Sequence, residues 1–272
     1  MKRIIIISLV LLVIGIGFYF GYRKANFAKS NPKFVETYSL LPNETMKYIP
    51  TPLPDAREVY NRLSGMDINE PIVTCWRWTK NGTFRPRSMS YEKTSLSAIL
   101  AMVTNLEPYE IEVAESYRTK DILGDIIYRE NASLEDLLVS LEDICHNELH
   151  LPVKISFQMV PKNVWVVRGS YQFKPISIQE NKIEIYEQQV GYTRGDRGSG
   201  DFKTFLKWLE KYYIHQWIIN EVENPPQEKL QWHNNEPRNK TKNAELVFRH
   251  LTDQTGLIFT RETRPVKVLM VE

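Results

Sequence analysis

The sequence predicts an α+β fold: an amino-terminal transmembrane helix, then two similar α-β-β-α-β-β units whose sheets are largely antiparallel. Three observations predict it. Residues 4–22 form an uncharged apolar run, four short apolar stripes recur at helical spacing, and runs suited to strands follow each stripe in the same order. The chain has 272 residues, 42% hydrophobic and 25% charged. Beyond the apolar run that is enough for one large domain or two small ones.

Lys2 and Arg3 precede the run, Arg23 and Lys24 close it, and only Ser8, Gly15, Gly17 and Gly21 interrupt its apolar character. About 18–20 apolar residues, each rising about 1.5 Å, cross a hydrocarbon core about 30 Å thick. Phe18, Tyr19, Phe20 and Tyr22 stand where an interfacial aromatic belt belongs. A cleaved signal peptide has a shorter apolar stretch and a small-x-small cleavage site, and neither is evident. Residues 1–24 are therefore read as an uncleaved anchor. Basic residues flank both ends, so the positive-inside rule selects no orientation. Residues 25–54 carry Pro32, Pro42, Pro50, Pro52 and Pro54 and are read as a semi-rigid stalk.

The folded part begins near residue 55, with a strand pair expected over 72–78 and 83–91. Leu96, Ile99, Leu100 and Val103 fall at offsets 0, 3, 4 and 7, and Phe202, Phe205, Leu206 and Leu209 repeat that spacing. Each set is the buried stripe of a short amphipathic helix. Strands are expected after the first at 109–113 and 124–128, and after the second at 216–222 and 230–233. A second helix then follows in each half. Leu134, Leu137, Leu138, Leu141, Ile144 and Cys145 mark one, with Ser133 and Asp136 resembling a capping box. Ala244, Val247, Phe248 and Leu251 mark the other, with Gly256 suited to its carboxy-terminal cap. Each leads into two strands, 153–159 and 163–167 around a Pro161-Lys162 turn, and 257–261 and 266–271 around a second turn. The expected organisation is thus residues 55–169 as the first unit, 170–200 as a hairpin and Gly-rich connector, and 201–272 as the second unit.

The stretches "KTSLSAILAMVTNLEPYEIE", "ASLEDLLVSLEDICHNELHLPVKI" and "NAELVFRHLTDQTGLIFTRETRPVKVLMVE" resemble a domain family of unknown function abundant in soil bacteria. Related modules end some BlaR-type sensor peptidases, and the helix-strand-strand close of each unit is distantly similar to the short amino-terminal domain of secretins and TonB-dependent receptors. The resemblance spans about residues 70–272. It implies secretion or membrane anchoring and a body outside the cytoplasm, and it carries no catalytic residue over. Where members show an Asp-x-Thr-Gly-Leu segment, this chain has Asn220-Glu221-Val222-Glu223-Asn224.

Candidate chemistry is sparse. With 35 basic and 33 acidic residues the net charge is +2, which provides no basic stripe for nucleic acid. His146 and His150 are four apart, but Asn147 stands where a zinc peptidase needs its glutamate, and a solvated helix end is the better reading. Cys75 and Cys145 allow one disulfide at most, and two buried thiols are equally consistent with their apolar surroundings. Residues 191–201, "GYTRGDRGSGD", lack the Lys-Ser ending of a phosphate loop and read as a connector. No catalytic residue, metal or cofactor is expected. The expected role is a membrane-anchored extracytoplasmic binding module, held through residues 4–22. A partner protein of the envelope would add a strand at Val266, Val268 and Met270. The alternative is an envelope hydrolase or small-ligand sensor.

Overall fold

The computed structural model describes residues 39–50, 74–79, 84–89, 94–118, 120–176, 182–187, 197–235 and 243–272. The transmembrane helix expected over 4–22 lies outside the described residues, and among them no helix is long and apolar enough to cross a membrane. Strands β1 (Met46–Ile49), β2 (Thr74–Trp78), β3 (Phe84–Met89) and β4 (Thr94–Ser95) lead into helix α1 (Leu96–Thr104). Then come β5 (Ile111–Val113), the single turn α2 (Glu115–Arg118), β6 (Asp121–Ile122), β7 (Asp125–Arg129) and α3 (Leu134–Asn147). The chain continues through β8 (Ile155–Arg168), β9 (Ile183–Ile185), β10 (Arg197–Gly200) and α4 (Phe202–Trp208), which runs on as a π-helical turn, Leu209–Ile214. β11 (Ile218–Asn220), β12 (Leu230–Asn234), α5 (Ala244–Thr255) and β13 (Ile258–Val271) complete it.

This is a mixed α/β arrangement, and it corrects the expectation of two α-β-β-α-β-β units with largely antiparallel sheets. Parallel pairs run through it: β2 with β7, β11 with β8, and β12 with β9. The strand pairs expected after α3 and α5 are not pairs. Each is one continuous strand of 14 residues.

Pro161 and Pro265 were expected at or near turns, yet each sits inside a strand, and the alternation of the ladder explains why. Trp165 N–H donates to Trp217 O, so odd residues of β8 face β11, whose pairing with β8 covers only 165–167. On β13, Val271 O accepts from Ala114 N–H, so its odd residues face away from β8. Each proline thus withholds an N–H that would have pointed away from the β8–β13 ladder. The segment 46–49, read from its flanking prolines as stalk, is β1, an edge strand antiparallel to β7.

The helices lie where the stripes place them. Ser95 caps α1, accepting from Ala98 N–H, and Leu96, Ile99, Leu100 and Val103 are buried. Ser133 caps α3, accepting from Asp136 N–H at 3.0 Å. The shorter Asp136 side chain accepts from the Ser133 hydroxyl at 2.7 Å instead of reaching the backbone as Glu would. Gly256 closes α5 in the left-handed conformation, φ 69°.

The chain divides into two units. The first is residues up to Ser156 with Met270–Glu272, and the second is Phe157–Leu269. In the first, a sheet of order β1-β7-β2-β3 is buried around Trp76, Ile126 and Ile127. In the second, α4 and α5 pack with β8, β9, β12 and β13 around Phe205, Tyr213, Trp232 and Phe248. Phe248 joins the Trp165 ring at 4.5 Å to that of Phe259 at 4.3 Å.

Candidate functional site

After β8 the chain stays extended through residues 171–174 and lies along the end of α5. Gln172 N–H donates to Thr255 O and Lys174 N–H to Gln254 O, each at 2.7 Å. Two carbonyls of the last helical turn are thereby satisfied by a neighbouring segment instead of by water. Tyr171 and Phe173, the alternate residues, hold parallel rings, 4° between planes and 6.5 Å between centroids. Phe202 meets Tyr171 edge-on at 6.5 Å and ties the pair to the core.

These two rings form one side of a cleft of about 410 Å³ in the second unit. Pro226, Gln227, Glu228 and Lys229, from the loop before β12, line it with Leu230 and Gln231 of β12 itself, and Lys182 and Ile183 complete it. Burial, reinforced by the charge of Glu228, pushes the Tyr171 phenol up to about 12, so its hydroxyl stays protonated. The cleft thus pairs flat apolar faces with amides, a carboxylate and ammonium groups.

Beside it lies a nearly buried polar cluster. The Glu184 carboxylate accepts from His233 Nδ1 at 3.2 Å and from Asn235 Nδ2, with Lys182 Nζ at 3.4 Å. The Gln254 amide then clamps the Glu184 backbone: its Oε1 accepts from Glu184 N–H at 2.9 Å and its Nε2 donates to Glu184 O at 2.8 Å. Gln254 takes the place of a neighbouring strand on the outer side of β9. Gln254 lies at offset 10 of the α5 stripe, so the periodicity places it on the buried face, but no local pattern names the distant sheet edge it closes. The signal that was present is the Tyr171-x-Phe173 alternation, the mark of two aromatics on one side of an extended chain.

A second charged group joins β8 and β13 to Glu221, the residue that follows β11. Arg168 donates to Glu221 at 2.8 Å, to Thr260 at 3.1 Å and to Glu262, while Arg264 donates to Glu262 at 2.9 Å and to Glu221 at 3.1 Å. Two arginines and two glutamates satisfy one another in a closed ring. The hydrogen bond from Arg168, above all, holds the Glu262 carboxyl at about 2.

Val266 and Val268 are buried in β13, and Met270 is partly buried. β13 lies between β8 and β5. At its end Val271 O accepts from Ala114 N–H at 2.8 Å, and Glu272 and Lys154 exchange both backbone bonds. The ladder beside residues 270–272 is therefore occupied.

The histidine pair does not assemble. α3 ends at Asn147, His150 takes a left-handed φ of 55°, and His146 donates from Nε2 to Val153 O. Among the described residues no group of three or more His, Cys, Asp or Glu is placed to hold a metal. Cys75 and Cys145 are buried and not joined in a disulfide, and burial, aided by Glu142, pushes the Cys145 thiol up to about 12. Comparison with family models, curated proteins and solved structures finds no match to this chain.

Proposed function

We propose that this chain is a non-catalytic binding module, held at a membrane by residues 4–22 with its folded part outside the cytoplasm, and that it takes its ligand in the Tyr171–Phe173 cleft. The observation that carries the reading is the lining of that cleft, where parallel aromatic faces meet a mixed set of polar side chains. A hydrolase acting through carboxylates would need an acid–base pair at the ligand, and among the residues lining the cleft Glu228 brings a single carboxylate. The Glu184 carboxylate is engaged by Lys182, His233 and Asn235, an arrangement that braces β9 against β12.

Hydrogen exchange on the full chain, with and without an envelope extract, tests the ligand site. Amides of residues 171–173 and 227–231 should slow when the extract is present. Slowing confined to other segments would overturn the assignment. Alkaline carbonate washing tests the anchor: the chain should stay in the membrane pellet, and its release would remove the tether from the proposal.

A further inference from the structure

We infer that the cleft takes a neutral saccharide chain, a reading that rests on the binding role proposed above. Three observations narrow the ligand. The first is shape. Parallel flat rings of Tyr171 and Phe173 suit a ligand that is itself flat and ring-shaped, and a pyranose ring offers a face of C–H groups to stack on them. The second is the polar complement. Gln227 and Gln231 each bring an amide that both donates and accepts, Glu228 accepts, and Lys229 donates. A hydroxyl is also donor and acceptor at once, so a polyol can satisfy such a set.

The third is the exclusion of the main rivals. A phosphorylated or otherwise anionic ligand needs surplus positive charge. Here Lys182 is drawn to Glu184, and Glu228 offsets Lys229 on the same wall. An extended peptide gains affinity chiefly by pairing its backbone with an open sheet edge. β9, which lends Ile183 to the cleft, has the outward N–H and C=O of Glu184 already bonded to Gln254. A neutral, hydroxyl-rich ring remains.

The experiment is saturation-transfer NMR on the full chain in detergent micelles, with chitotetraose, inorganic pyrophosphate and a Thr-Val alternating heptapeptide as separate probes. Chitotetraose should receive saturation from the aromatic protons, and its affinity should fall about tenfold, or 1.4 kcal/mol, in Tyr171→Ala. Tyr171 also packs on the core, so Gln231→Ala, at an exposed position, provides a second variant that keeps the fold and should weaken the saccharide as well. Binding of chitotetraose unaffected by either change would overturn the inference. Binding of the peptide or pyrophosphate in its place would overturn the saccharide and leave the binding role standing. Silence of all three probes would overturn the saccharide, and the further lack of exchange protection from envelope extract would overturn the binding role as well.

Discussion

Gly198 stands opposite Trp232 in the β10–β12 ladder, and the indole lies across the place a side chain would take. A Cβ at 198 would come within 2.3 Å of Trp232 Cε2. The indole is held there by Phe205 at 5.3 Å and Trp208 at 6.0 Å, so it has little freedom to withdraw. Gly198→Ala should therefore destabilise the protein by about 1–3 kcal/mol through overpacking, read as a lower urea midpoint. An unchanged midpoint would mean that the ring swings aside without cost. Glu262 makes a different residue-scale prediction. Its folded value of about 2 lies below the ordinary glutamate value of about 4.3 in an unfolded chain. The stabilisation it contributes is thus complete above the unfolded value and is lost as pH falls through the folded one. Carboxyl-carbon NMR should find Glu262 titrating well below pH 4. A midpoint in the ordinary range would mean the ring with Arg168 opens in solution.

Two sheet edges in the second unit are closed by buried side chains. Gln254 does this for β9. Glu210 does it for β11, accepting Ile218 N–H at 2.6 Å while Lys207 holds its other oxygen at 2.9 Å. The π-helical turn Leu209–Ile214 seats that carboxylate: the wider turn buries Glu210 beside Leu209, and a π-turn of this kind commonly marks a local constraint. Capping in this way prevents an edge strand from recruiting another chain. Gln254→Leu keeps the side chain's size and leaves Glu184 N–H and C=O unpaired, at a cost of about 1–3 kcal/mol for each group that stays buried. Faster exchange at the Glu184 amide and a lower denaturation midpoint are expected. Wild-type exchange in this variant would show that the clamp is dispensable.

At the scale of the molecule, β8 and β13 are the elements that pass between the two units, since the division falls after Ser156 in one and after Leu269 in the other. The last three residues of the chain thereby belong to the first unit, through the Lys154–Glu272 pair and the Val271–Ala114 bond. Deleting residues 270–272 should raise the exchange rates of Ala114 and Lys154, whose N–H partners are lost. Intact protection at both would show that the first unit is held without the carboxy-terminal strand.

Helices, caps and charge balance are local features, legible in each segment alone. A stripe at 3.6-residue spacing needs only one buried face to become a helix. The residues of α1, α3, α4 and α5 could therefore be read directly, as could the caps at Ser133 and Gly256. The balanced charge and the apolar run at 4–22 belong to the same class of fact, since each is a property of composition alone. Strand pairing is settled only when the chain packs, because hydrogen-bond partners in a sheet come from distant segments and no local period encodes them. That is why Pro161 and Pro265 suggested breaks where single strands run through, and why three parallel pairs stand among the antiparallel ones. The cleft belongs to this second kind: Tyr171, Lys182 and Gln231 are separate in the chain and meet only because α5 and β12 bring their segments together.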